Sequence, residues 1–231
     1  MTVSVSIRSR GYLPHWERDF AVYFVTFRLA DSLPQKLIAE IRREREFIER
    51  GKRANTSVEA DRVRLAKLNG LLRKAESYLD KGLGRCYMRD ARVAAIVARA
   101  IQHFDADRYH LFAWCVMPNH VHILFSPSRK STLASTVQSW KSYSAHCANA
   151  ALGRSGIFWQ REYFDHLVRS ESHLLKFAKY IEQNPLKAGL RNWPWVSNSS
   201  CTAGVSPASS PRFAVRYPTR RPESGVTKEN R

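Results

Sequence analysis

The chain has 231 residues, with 38 Lys and Arg against 20 Asp and Glu, and a formal net charge of +18. Hydrophobic residues make up 44% and aromatics 11%, which excludes a disordered polyelectrolyte and allows an ordinary core. A field of that sign collects polyanions, so nucleic acid is the expected partner, with counterion release favouring each neutralised phosphate. A membrane span is not expected: the longest apolar run, Phe20 to Leu29, is too short and contains Arg28. Cys86, Cys115, Cys147 and Cys201 show no C-x-x-C spacing, so neither a zinc knuckle nor a disulfide framework is indicated. The first residues lack a signal-peptide core, and the expected location is cytoplasmic, with the nucleoid as a natural site for so basic a chain.

In chain order, residues 21–29 (AVYFVTFRL) are β-branched and aromatic and predict a buried strand. A charge-laced helix is expected from Leu33 to about Arg53 and a second from about Val58 to Leu79, together a helical hairpin inserted at about 33–80. Asp90 to Phe104 is Ala-rich and helical, with Asp90 as N-cap. Two apolar runs, Tyr109–Val116 and His120–Phe125, flank a Pro118-Asn119 turn signal and predict an antiparallel hairpin. Thr132 to Leu152 predicts a helix and Tyr163 to Val168 a strand. A last helix is expected from Glu171 to Gln183, stopped by Pro185. Beyond residue 195 no apolar period survives, which leaves residues 196–231 as a basic, disordered tail behind a domain of residues 1–195. The order describes an α+β domain with an antiparallel sheet.

Within the hairpin, His120 and His122 stand two apart, so on a strand they share a face. Val121, Ile123 and Phe125 take the other. Two imidazoles so placed can converge on one divalent ion but need a third ligand; alternatively they are surface histidines without a role. On the last helix, Leu174, Ala178 and Ile181 define a buried arc, and Tyr180 lies off it. Asn184 follows Tyr180 by one turn and offers a neutral oxygen, or a cap before Pro185.

The set MPNHVHIL, SWKSY, FWQREYFDH and KYIEQNPLKAGL, in that order, resembles the REP-associated tyrosine transposases among the HUH single-strand DNA transposases. The resemblance covers roughly Tyr12 to Trp195. It implies a ferredoxin-like antiparallel sheet with packed helices, Tyr180 as the nucleophile, and His120, His122 and Asn184 as ligands of Mg²⁺ or Mn²⁺. It implies metal-dependent nicking and joining of single-stranded or hairpin DNA at palindromic repeats through a 5′-phosphotyrosine, by a monomer or a homodimer. The alternative is a hairpin-binding protein that keeps the fold without catalysis. Lys141, Lys176, Lys179 and Arg161 are expected phosphate contacts, and Trp140 is either a core or edge packing residue or a base-stacking platform.

Overall fold

The computed structural model describes residues 5–9, 14–18, 21–53 and 58–198. The expected tail therefore lies, from residue 199 onward, outside the described residues. Strands β1 (Val5–Ser9) and β2 (Pro14–Arg18) pair as a two-stranded ribbon. The main sheet has five strands: β3 (Tyr23–Arg28), β4 (Tyr109–Val116), β5 (His120–Pro127), β6 (Phe164–Leu167) and β7 (Val196–Asn198). Their spatial order is β6-β3-β5-β4-β7, every neighbour antiparallel. Without β7 the four core strands run fourth, first, third, second, which is the ferredoxin-like arrangement. Residues 196–198, which composition assigns to the tail, form the edge strand β7. Trp193 secures the approach by donating its indole N–H to Val116 O at 2.7 Å.

Strand alternation divides the core in two. Tyr23, Val25 and Phe27 of β3 face the same side as Val121, Ile123 and Phe125 of β5, and meet α3 (Ala91–Gln102) and α4 (Leu133–Ala151). Val121, Ile123 and Phe125 are wholly buried, as the two-residue period requires. Asp90 caps α3 by accepting from Arg92 N, and Thr132 and Ser135 form a reciprocal cap at the start of α4. Phe24, Leu124 and Cys115 face the other way, against α5 (Glu171–Lys187).

Trp140 is 2% exposed, packs edge-on against Tyr109 and Phe125, and donates its indole N–H to the Tyr109 hydroxyl at 2.9 Å. It is a core residue, with no face open to a base, which decides for the packing alternative and against the stacking platform. Trp140→Ala is expected to destabilise the fold by about 3–5 kcal/mol in urea denaturation, because it leaves a cavity and removes one of the hydrogen bonds at the Tyr109 hydroxyl.

Helix α5 runs past Pro185 to Lys187. Pro185 removes only its own N–H, near an end where few helical bonds remain to be lost. The helix stops at Gly189, whose φ of +74° suits glycine. There Gly189 N donates to Leu186 O and Leu190 N to Pro185 O, the paired bonds of a left-handed C-terminal cap.

Helices α1 (Gln35–Arg53) and α2 (Val58–Asp80) form the inserted hairpin between β3 and α3. Leu33, Leu37, Ile38, Ile41, Ala75 and Leu79 build its own small core, and Phe164 of β6 packs against that core. Lys67 and Glu44 pair across the hairpin. The base is closed where Asp31 accepts from Arg85 N at 3.0 Å. Gly84 is required there, since a Cβ would lie 2.8 Å from Asp31 O.

Candidate functional site

The sheet face opposite α3 and α4 carries polar groups where β3 and β5 pair. In that register Thr26 lies opposite His122 and Arg28 opposite His120, so all four point to one side. The two imidazoles lean together until their Nε2 atoms are 3.0 Å apart. Both rings are buried. Burial pushes His122 down to about 3 from the usual 6.5. Burial, then His122 and Arg28, hold His120 well below its ordinary value.

Two neutral rings at that distance need an ordered proton arrangement. Asn119 donates its amide to Leu83 O at 2.8 Å, which turns its Oδ1 toward His120 Nδ1 at 2.7 Å. An amide oxygen only accepts, so the His120 proton sits on Nδ1 and its Nε2 bears a lone pair. His122 Nε2–H then donates to that lone pair, and His122 Nδ1 accepts from the Thr26 hydroxyl at 2.8 Å. Moving the His122 proton to Nδ1, with Thr26 turned to accept it, would present two lone pairs to the same point. Asn119 and Thr26 are thus the orienting residues that sequence reading missed: Asn119 looked like a turn residue, and Thr26 is distant in sequence.

Helix α5 lies across this face within the same chain. Tyr180 meets His122 edge-on with ring centroids 5.2 Å apart, and Phe24 touches both rings. Tyr180 is half-buried at the rim of the second core rather than clear of it. The reason is that α5 turns the Ala178–Ile181 edge into the sheet, while Leu175 is exposed. Burial raises the Tyr180 phenol above its usual 10; the carboxylates of Glu76 and Asp80 on α2 add to that, and a side-chain hydrogen bond with Asn184 opposes it. Lys187 places its ammonium 5.4 Å from the Tyr180 ring centre. Glu76 and Asp80 had no sequence signal: they are two acids among many on a charged helix.

Asn184 is 1% exposed, and its Oδ1 has no hydrogen-bond partner. It is a buried side chain in the body of α5, so the C-cap alternative does not hold. An orphaned buried acceptor is costly unless something fills it. Among the described residues no three His, Cys, Asp or Glu side chains converge in a manner that could hold a metal ion. The donors that converge are two imidazole nitrogens, with the unpartnered amide oxygen of Asn184 on the helix that carries Tyr180 as the candidate third. Nitrogens bound at about 2.1 Å and at right angles are about 3 Å apart, so the His120–His122 spacing suits adjacent positions on one divalent cation. The histidine pair fits such an ion, and the orphaned oxygen of Asn184 has the chemistry of a third ligand.

The expected DNA contacts divide. Lys176, Lys179 and Arg161 are exposed and free to meet phosphates. Lys141 is not: its ammonium donates to Gln160 O at 2.9 Å and Arg161 O at 2.7 Å, burial draws its pKa down to about 8, and it fixes the chain before β6. That corrects its expected role as a surface phosphate contact.

Because the histidines are buried neutral, the fold should weaken in acid. The unfolded chain protonates first, so stability falls as pH drops below about 6.5 and continues to fall toward the folded value. His122 alone contributes a slope of about 1.4 kcal/mol per pH unit. Urea denaturation between pH 7 and 5 should show this loss, and His122→Asn should flatten it. A wild-type midpoint unchanged over that range would contradict the buried neutral pair.

Residues 88–184 match the family model described as "Transposase IS200 like", a segment that includes His120, His122, Tyr180 and Asn184. A REP-associated tyrosine transposase, as it is named, of Haemophilus influenzae is 29% identical over 104 residues, covering 38% of this chain and 58% of that protein. The REP-associated tyrosine transposase of Escherichia coli is 27% identical over 106 residues, covering 43% of this chain and 61% of its own. The chain therefore spans less than two thirds of either relative. Among solved structures, a REP-associated tyrosine transposase bound to a REP hairpin aligns over 83% of this chain and 81% of its own. Its identity is 16% and its TM-score 0.44. A transposase structure from Deinococcus radiodurans aligns over 77% and 96%, with 15% identity and a TM-score of 0.30. Among the described residues no helix is long and apolar enough to cross a membrane.

Proposed function

For a chain related to the REP-associated tyrosine transposases, with an IS200-like transposase segment at residues 88–184, we propose metal-dependent nicking and joining of single-stranded DNA by Tyr180. The observation that carries this reading is the contact between the His122 and Tyr180 rings, 5.2 Å between centroids, at the same face as Asn184. His120 Nε2, His122 Nε2 and Asn184 Oδ1 would hold Mg²⁺ or Mn²⁺. Such an ion, when bound, supplies Lewis-acid stabilisation to the scissile phosphate.

The protein's own groups do the rest. Asn119 and Thr26 hold the imidazoles in place. Tyr180 Oη attacks phosphorus, the bond to the 3′ oxygen breaks, and the phenolic proton is balanced by the proton on the leaving 3′-hydroxyl. A 5′-phosphotyrosine results, and attack by a 3′-hydroxyl reverses it, so joining requires no nucleotide cofactor. In the resting site burial, Glu76 and Asp80 keep Tyr180 protonated, while the hydrogen bond with Asn184 favours the phenolate. The rate is therefore expected to rise with pH across the neutral range, as more phenolate becomes available.

The DNA partner follows the same reading: a single strand or a hairpin flank, met by a chain of charge +18 with exposed Lys176 and Lys179 on the helix of Tyr180 and exposed Arg161 before β6. The test is incubation with Mn²⁺ and a single strand carrying a hairpin, followed by denaturing gel electrophoresis. A detergent-resistant protein–DNA adduct supports the proposal. Hairpin binding without cleavage would leave a non-catalytic binding protein, and free ends without an adduct would indicate hydrolysis by water.

A further inference from the structure

Arg28 has no place in the chemistry of the nick, yet it is 3% exposed, and its Nη1 is buried without a hydrogen-bond partner. A guanidinium placed so is normally bound by an anion or a carboxylate. It stacks on Phe164, 5.1 Å from the ring centre, and its strand position is opposite His120. Around it opens a small cleft of about 30 Å³, lined by Arg28, Arg42, Arg45, Gln160, Glu162 and Phe164, with the apolar side of α1 as one wall. Arg45 stacks on the same Phe164 ring at 4.6 Å. The guanidiniums of Arg28 and Arg45 thus meet on one aromatic ring, with Glu162 also lining the cleft. Burial and Arg45 lower Arg28 to about 10, so it remains charged at neutral pH.

We propose that Arg28, Arg42 and Arg45 hold one backbone phosphate of a bound single strand, in a pocket that the inserted hairpin completes beside the histidine pair. The inference rests on the single-strand reading of the site and gives the insertion a role, since α1 supplies two of the three cations. Planar guanidiniums suit that role, because each can present a fork of N–H donors to phosphate oxygens. Arg28, Arg42 and Arg45 all lie outside residues 88–184, so nothing in the matched segment accounts for them.

The test uses the full chain, chelator in place of metal, and a labelled hairpin with a short single-stranded tail. A series of such strands carries one neutral methylphosphonate each, at successive linkages. Wild-type affinity should fall about tenfold at one linkage. Arg45→Gln, at a partly exposed side chain, should lose about tenfold with the unmodified strand and nothing further at that linkage. Its salt dependence should flatten by about 0.7 in the log–log slope, the loss of one phosphate contact. Arg28→Met should behave likewise, with thermal melting to show that it folds. Losses that add in full in both variants, or wild-type affinity in Arg45→Gln, would overturn the proposal. So would competition by inorganic phosphate with no dependence on linkage, which would make the pocket a site for free anions. The adduct assay is independent: linkage coupling without an adduct would remove the nicking reading and leave this pocket standing.

Discussion

Tyr180→Phe should abolish the covalent protein–DNA adduct while leaving hairpin affinity within about twofold of wild type. The substitution deletes one oxygen and keeps the ring that packs on His122 and Phe24. Loss of a nucleophile typically lowers turnover by at least about 10³-fold, so no adduct should be visible in the variant. Stability should change by about 1 kcal/mol or less, because the phenol is half-buried and its hydrogen bond is to Asn184. An undiminished adduct would exclude Tyr180, and a folded variant that cannot bind DNA would assign the hydroxyl to recognition instead.

His122→Ala is the second large effect. It removes one of two nitrogens at the proposed ion site, and also the ring against which Tyr180 rests. Mn²⁺ affinity, read by calorimetry on the protein alone, should fall by at least about 100-fold, and adduct formation should fall with it. Thr26→Val should act in the same direction but more weakly, about tenfold in Mn²⁺ affinity, since it removes only the partner of His122 Nδ1. Unchanged Mn²⁺ binding in His122→Ala would locate the ion elsewhere.

The histidine face and the tyrosine helix were legible because each follows from a period within one element. Alternation along β5 separates His120 and His122 from Val121, Ile123 and Phe125, and those three are wholly buried. What could not be read is whatever depends on packing between elements. Thr26 faces His122 only through the β3–β5 register, and Asn119 orients His120 only because Leu83 O receives its amide. Arg28 looked like a charge interrupting an apolar run. In the sheet it sits opposite His120 and beneath a helix that no local pattern would bring there. Trp140 could be read as core or as a base platform, and Lys141 as a phosphate contact, because a helical stripe does not reveal which side faces the sheet; Trp140 is core and Lys141 binds carbonyls. Pro185 suggested an end for α5 that Gly189 supplies one turn later.

The most direct measurement is peptide mapping by mass spectrometry of the species trapped with Mn²⁺ and a hairpin strand labelled in turn on either side of the scissile linkage. The account predicts a single nucleotide-bearing peptide from α5, modified on Tyr180 through the 5′-phosphate, with the other fragment released bearing a 3′-hydroxyl. Modification at another residue, or attachment through a 3′-phosphate, would contradict it.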